Sequence, residues 1–126
     1  MERWALVSGL CGDLDLYEQI QSDLKRKHGI AHLFVLGDMV SPDRNFNDLL
    51  SRLRQPKRGD LVPNCIYGWW EEQLLAGHGY RGEQQPVALD GDYETSSFDR
   101  LRAAVSQDYL SWLASLQFGF VELDCG

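Results

Sequence analysis

Three short glycine-containing turns carry the side chains of this sequence that could do chemistry. The turns read Ser8-Gly9-Leu10-Cys11-Gly12-Asp13-Leu14, Leu36-Gly37-Asp38-Met39-Val40 and Tyr67-Gly68-Trp69-Trp70-Glu71-Glu72. A thiolate at Cys11 and carboxylates at Asp38 and Glu71 are groups that bind divalent cations or transfer protons. The residue types therefore raise metal binding and acid–base catalysis as candidate chemistries.

Each of these groups also has a structural interpretation. Asp38 ends an apolar run, where a carboxylate commonly accepts backbone N–H groups, with metal binding as the alternative. Cys11 has no nearby His or Lys in the sequence that would activate it, which favours a turn thiol over a nucleophile. Glu71 and Glu72 fit the first turn of a helix, where acidic side chains interact favourably with the helix dipole. Loop acids such as Asp90 and Asp92 need no catalytic role.

The aromatic and imidazole groups give weaker signals. Trp69 and Trp70 could form a platform for a base or another ring, or could pack the start of a helix onto the sheet, and we favour packing. His28, His32 and His78 fall at a helix end, a strand start and a loop. They show no metal-ligand spacing, so we interpret them as surface or edge residues.

Alternating strands and helices must position the three turns. Residues 4–8, 32–36 and 64–67 are apolar runs of strand length, and the second run is apolar on both faces, which is typical of a parallel strand covered on each side. Helices are predicted over residues 13–28 with Asp13 as N-cap and over residues 71–76. A further helix between them has Asp43 or Asn45 as its candidate cap, and its inward face is formed by Phe46, Leu49, Leu50 and Leu53.

The remaining chain is predicted to contain a loop, a helix and a strand. Residues 77–91 are polar and glycine-rich, which indicates a loop. Residues 97–116 have the apolar spacing of one long amphipathic helix, and residues 118–123 form a last candidate strand. The alternation predicts a single α/β domain over residues 1–126, built from βαβ units, with functional loops at the carboxyl ends of the strands.

Composition narrows the class of partner. The chain has 12 Lys and Arg against 19 Asp and Glu, a formal net charge of −7, so long nucleic acid is a poor partner. Cys11, Cys65 and Cys125 lack any CxxC pairing, which fits free thiols in a reducing cytoplasm. No apolar stretch approaches the roughly 20 residues of a membrane helix, and no signal-peptide core follows Met1. We expect a cytoplasmic protein with no membrane partner.

The order and spacing of the three turns resemble the first three motifs of calcineurin-like metallophosphoesterases. In that family the turns read Asp-x-His followed by Gly, then Gly-Asp, then Gly-Asn-His-Asp/Glu, each after a strand and before a helix. The resemblance covers most of the chain. It implies the first half of the metallophosphoesterase sandwich and a phosphoric-ester hydrolase family that uses two divalent ions of Mn, Fe or Zn to activate a bridging water.

Residue by residue, the resemblance implies that most metal motifs are replaced. Gly9 occupies the position of the first aspartate ligand, Cys11 that of the first histidine ligand, and Asp38 matches the bridging aspartate. Asp38 and Cys11 are therefore the candidate metal residues that the resemblance implies. Trp69 stands where the asparagine ligand belongs.

The catalytic positions are equally altered. Trp70 replaces the histidine that assists the leaving group, and Glu71 matches the family's acidic residue, so no catalytic set is intact. The family's further histidines come from a second half, so the resemblance implies a domain truncated at its C-terminus. We expect no cofactor in this chain, an impaired dinuclear site and a binding or regulatory role, with self-association or a complementing C-terminal segment possible. Hydrolysis with ligands from such a segment or a partner protomer is the enzyme alternative.

Overall fold

The computed structural model describes residues 3–27, 29–77, 100–101 and 103–116. Within these ranges the elements are β1 (Arg3–Val7), α1 (Leu14–Arg26), β2 (Ile30–Leu36), α2 (Asn47–Arg54), β3 (Pro63–Ile66), α3 (Trp69–Gly77) and α4 (Gln107–Ser115). The predicted α/β fold built from βαβ units is confirmed. The predictions for residues 78–91 and 118–123, and for His28, His78, Asp90, Asp92 and Cys125, lie outside the described residues.

The three strands form one parallel sheet in the order β1-β2-β3. Consecutive parallel strands that are neighbours in a sheet are joined by right-handed crossovers in nearly all proteins, so α1 and α2 belong on the same face. The carboxyl ends of the strands lie at one edge of the sheet. The three turns follow these strand ends and therefore lie along the same edge.

The core lies between one face of the sheet and the helices. Leu33 and Val35 of β2 are fully buried, and Ala5, Val7 and Cys65 of the neighbouring strands pack against the same cluster. Helical residues complete the cluster: Tyr17, Leu49, Leu50, Leu53, Leu74, Leu75, Leu110 and Leu113. The prediction that helices cover both faces of β2 is not met by the described helices, whose buried apolar side chains belong to this one cluster.

Local sequence signals set most helix ends. Asp13 caps α1 as predicted, because its side chain accepts the backbone N–H of Leu16 at 3.0 Å. The predicted caps of α2 are wrong, since Phe46 is the N-cap and makes no side-chain capping bond. Asn45 lies one residue earlier and accepts the backbone N–H of Asn47 at 2.9 Å, while Asp43 is exposed.

Two helical boundaries differ from the predictions. Helix α3 begins at Trp69, two residues before the predicted start, and includes Gly77. The single helix predicted over residues 97–116 is wrong, because Ser106 has an extended backbone with φ −77° and ψ 143° and begins a new helix, α4. Serine competes with helical hydrogen bonding and favours N-cap positions, although apolar spacing continues across the break.

Candidate functional site

The first turn (residues 8–14) and the second turn (residues 36–40) are joined by their backbones. The N–H of Cys11 donates to the carbonyl oxygen of Asp38 at 2.8 Å, and the N–H of Gly12 donates to that of Met39 at 2.8 Å. Two parallel strands that end side by side bring these turns together. Cys11 and Asp38 therefore lie together at the carboxyl edge of the sheet, where the sequence predicts functional loops.

Glu71 joins the second turn to the third turn (residues 67–72). Its side chain is completely buried. One carboxylate oxygen, Oε1, accepts the backbone N–H of Asp38 at 2.6 Å and that of Gly68 at 2.7 Å, and Oε2 accepts the N–H of Val40 at 3.1 Å. Sequence reasoning placed Glu71 in the first turn of a helix, where it lies, but missed this role. Its match to the acidic position of the metallophosphoesterase motif was the available signal.

The protonation of Glu71 reflects two opposing effects. Burial raises the pKa of this carboxyl to about 7, and the negative charge of Asp38 acts in the same direction. The three backbone N–H donors lower the pKa, because hydrogen bonds to a carboxylate favour its charged form. Burial dominates, so Glu71 is a buried acid that exchanges its proton near neutral pH.

Asp38 provides a second link between the second and third turns. Its Oδ1 accepts the backbone N–H of Trp70 at 3.1 Å. This contact matches the structural interpretation of Asp38 as a strand-end acceptor of backbone N–H groups. It also commits one carboxylate oxygen to the start of α3.

Two glycines let the second and third turns touch through their backbones. A Cβ atom on Gly37 would lie 2.5 Å from the Cα of Gly68, and one on Gly68 would lie 2.6 Å from the backbone nitrogen of Asp38. Gly37 also has a φ of +92°. Side chains at these positions would push the turns apart, and the hydrogen bonds to Glu71 would lengthen.

Cys11 and Asp38 both have left-handed backbones, with φ values of 49° and 52°. Such conformations are uncommon for residues other than glycine, and they cost of order 1–3 kcal/mol unless the surrounding structure enforces them. The two residues are hydrogen-bonded to each other, as described above. The strained backbone of this edge therefore lies at the two candidate metal residues.

The Cys11 thiol is held in its protonated form. Burial raises its pKa, and the charges of Asp38 and Glu71 raise it further. The thiolate, not the thiol, is the nucleophile and the metal ligand. This environment favours the turn-thiol interpretation of Cys11 over a nucleophile.

Trp69 and Trp70 contact each other at the start of α3. Their ring centroids are 4.7 Å apart and their planes are 76° apart, an edge-to-face arrangement. Trp70 also packs against the hydrophobic core. Perpendicular rings do not form one flat surface on which a base could stack. The contact of Trp70 with the core agrees with the interpretation that this residue packs the start of the helix onto the sheet.

The described residues do not fit a dinuclear metal centre. In the described ranges no group of three or more His, Cys, Asp or Glu is arranged to hold a metal ion. Gly9 contributes no side chain, and both oxygens of Glu71 are occupied by backbone N–H groups. His32 cannot complete the set, because its ring packs beside Trp4 at 6.1 Å, away from the three turns.

None of the helices defined above has the length and apolar character that a transmembrane segment requires.

In comparisons with known proteins, this chain is similar in fold to one solved structure. No family model matches the chain, and no curated protein matches it. One solved structure, a hypothetical protein, PH1004, from Pyrococcus horikoshii OT3, superposes with a TM-score of 0.57 at 16% sequence identity, over 92% of this chain and 48% of that one. At this identity the likeness shows the fold alone. The chain spans about half the length of that protein.

Proposed function

We propose that this chain is a metallophosphoesterase-like domain that acts in binding or regulation and does not hydrolyse phosphoric esters by itself. The order of the three turns supports the family, and their meeting at one sheet edge fits it. The observation that carries the proposal is Glu71, whose carboxylate is fully occupied in tying the second turn to the third. Glu71, which the resemblance aligns with the family's acidic residue, therefore holds two turns together through its hydrogen bonds.

The chemistry of the edge supports the loss of hydrolysis. Two catalytic divalent ions need several oxygen, nitrogen or sulfur ligands each. The edge offers Asp38, one oxygen of which accepts the N–H of Trp70, and Cys11, whose raised pKa keeps its thiol protonated. These two groups fall short of a dinuclear centre.

A cytoplasmic setting is part of the proposal. Cys11 and Cys65 are free thiols in the structure. Burial raises the pKa of Cys65 to about 12. Unpaired thiols of this kind fit a reducing compartment. The net charge of −7 further argues against long nucleic acid as a partner.

Restoring ligands at the edge tests the mapping of the turns. Gly9 has open space for a side chain, since a Cβ there meets no atom within 4 Å, although its φ of +69° makes any substitution strained. The double variant Gly9→Asp/Cys11→His adds two ligand groups beside Asp38 without touching the packed Trp70. The matched control is Gly9→Ala/Cys11→Ala, which adds similar backbone strain and no ligand.

The measurement is thermal unfolding with and without added Mn²⁺ or Zn²⁺. A metal that binds only the folded state raises its stability by mass action, so we expect metal-dependent stabilisation of the repaired variant and none of the control. If both folded variants respond alike to metal, the alignment of the turns with the family motifs is wrong. The proposed family membership would then fall as well.

The enzyme alternative keeps hydrolysis, with missing ligands supplied by a complementing segment or a partner protomer. The observation in its favour is the strained pair of Cys11 and Asp38, because backbone strain concentrates at functional sites. A screen of phosphomonoesters and phosphodiesters with added Mn²⁺ separates the two. Metal-dependent turnover by the wild-type chain that disappears in Asp38→Ala would establish the enzyme.

A further inference from the structure

Exposed cations gather at the edge of the sheet opposite the three turns. We call them the basic patch and define it by Lys25, Arg26 and Lys27 at the end of α1 and Lys57 and Arg58 in the loop before β3. All five residues are exposed. In the part of the chain that the structure describes, no ion pair joins any of them to a carboxylate.

Contacts between α1 and the loop hold the two parts of the patch together. The Nε2 of Gln21 donates to the carbonyl oxygen of Leu61 at 2.9 Å, and the Oε1 of Gln21 accepts the N–H of Leu61 at 3.0 Å. A Cβ atom on Gly59 would lie 3.7 Å from the Nζ of Lys25. The two cations that directly precede Gly59 therefore lie beside the end of α1.

The helix dipole accounts for only part of this cluster. Two of the five cations lie in the last turn of α1, where positive charge interacts favourably with the dipole. Lys57 and Arg58 belong to a loop, so the dipole does not explain their position. Asp60, the carboxylate of the same loop, is bound by the guanidinium of Arg52 through two hydrogen bonds. The patch therefore keeps its positive charge.

A cavity of about 210 Å³ adjoins the patch. It is lined by Gln21, Leu24, Lys25, Ile30, Gly59, Asp60 and Leu61. The side chains of Gln21 and Asp60 have their hydrogen-bond partners within the chain, so the wall favours an apolar occupant. An apolar cavity of about 150 Å³ holds a benzene ring, so this cavity has room for a leucine side chain.

We propose that the basic patch binds a short acidic segment of another protein, with one apolar side chain of that segment in the adjoining cavity. The carboxylates of such a segment complement the five cations, and its apolar side chain enters beside Lys25. Charge attracts the segment, and the cavity fixes its position. This inference is independent of the proposed function, because the patch and the three turns lie at opposite edges of the sheet.

The charge of the whole chain selects against larger polyanions. The patch carries five positive charges, so the other residues carry −12 to give the net charge of −7. Screening at physiological ionic strength limits interactions between exposed charges to about 8 Å. A nucleic acid duplex or an anionic membrane extends beyond the patch and also faces the acidic remainder, whereas a short segment contacts the patch alone.

Fluorescence anisotropy of the full chain with a short labelled peptide, in which glutamates flank a central leucine, tests the inference. Binding should weaken at least about tenfold between about 50 mM and about 500 mM salt, because salt screens exposed charges. Lys25→Gln/Lys57→Gln removes two charges of the patch and should also weaken binding at least about tenfold. The matched control, Arg44→Gln/Arg100→Gln, removes two exposed cations outside the patch and should change binding less than about threefold.

A second peptide, with glycine in place of the leucine, tests the cavity on the wild-type chain. It should bind at least about fivefold more weakly, because it buries no apolar side chain. Circular dichroism of both double variants verifies that the fold is intact. Salt-sensitive binding that is lost in the patch variant, kept in the control and dependent on the leucine supports the inference.

Three results would overturn the inference. The first is no binding of the leucine peptide at low salt, and the second is an equal loss of binding in both double variants. The third is binding of duplex DNA, or of vesicles of phosphatidylserine and phosphatidylcholine, as tightly as the peptide and with the same loss in the patch variant. Equal affinity for the two peptides would overturn the assignment of the cavity.

Discussion

Two carboxylates near opposite ends of the sheet accept hydrogen bonds from different kinds of donor. Asp60, in the loop before β3, accepts the Nε and Nη2 donors of Arg52 at 2.7 and 2.9 Å, and the backbone N–H of Lys57 at 3.0 Å. Glu71, just after β3, accepts backbone N–H groups. The guanidinium lowers the pKa of Asp60, whereas burial raises the pKa of Glu71 to about 7.

The opposite pKa shifts of Asp60 and Glu71 distinguish an ion pair, at Asp60, from a strained edge of the sheet, at Glu71. A carboxyl beside a cation keeps its charge, whereas burial without a cation favours the neutral form even though N–H donors oppose that effect. The Glu71 end also contains the left-handed residues Cys11 and Asp38 and the backbone contact of Gly37 with Gly68. Perturbed acids and strained backbones are typical of functional sites, so these features make the Glu71 end the candidate site of the described residues.

The largest expected effect comes from removing the Glu71 side chain. Glu71→Ala leaves three backbone N–H groups of the second and third turns without their acceptor, at a cost of about 4 kcal/mol in the free energy of unfolding. Urea unfolding measures the change. Glu72→Ala, the neighbouring and less buried acid of α3, is the control and should cost less than about 1 kcal/mol. Similar losses of unfolding free energy in both variants would show that Glu71 does not hold the second and third turns together.

The pH dependence of stability should isolate the Glu71 proton. Above its ordinary pKa of 4.5 the unfolded chain has lost this proton while the folded chain keeps it until about pH 7. The folded state binds more protons in that window, so the free energy of unfolding falls as pH rises. Between pH 5 and 7 the wild type should lose roughly 2 kcal/mol relative to Glu71→Gln, which lacks this titration. Parallel profiles would show that Glu71 ionises normally.

A smaller effect of opposite sign is expected at Asp60. The pKa of this carboxyl is lowered chiefly by its hydrogen bonds from Arg52, so the stability it contributes is present above its unfolded pKa and is lost as pH falls through the folded pKa. The pair lies close to the surface, where water screens it, and Asp60→Asn should cost about 1 kcal/mol at neutral pH. Chemical denaturation at pH 7 and below pH 4 measures both values. A loss that persists undiminished in acid would contradict this account of the pair.

Short sequence patterns predicted the strands and the first helix cap, whereas the role of Glu71 depends on contacts between residues far apart in the sequence. The three strands and the Asp13 cap follow from apolar runs and from a residue that accepts an N–H three positions away. The role of Glu71 depends on Asp38, which is 33 positions away, and no local pattern contains that contact. The break at Ser106 was missed because apolar spacing continues on both sides of it.

The content of bound metal at the carboxyl edge tests the central claim most directly. The wild-type chain and Asp38→Ala are incubated with Mn²⁺ or Zn²⁺, separated from free ions and subjected to elemental analysis. We expect less than one ion per chain in the wild type, because the described residues of the edge offer Asp38 and a protonated Cys11 but no group of three ligands. Two ions per wild-type chain, lost in a folded Asp38→Ala variant, would contradict the account and restore a dinuclear phosphoesterase centre.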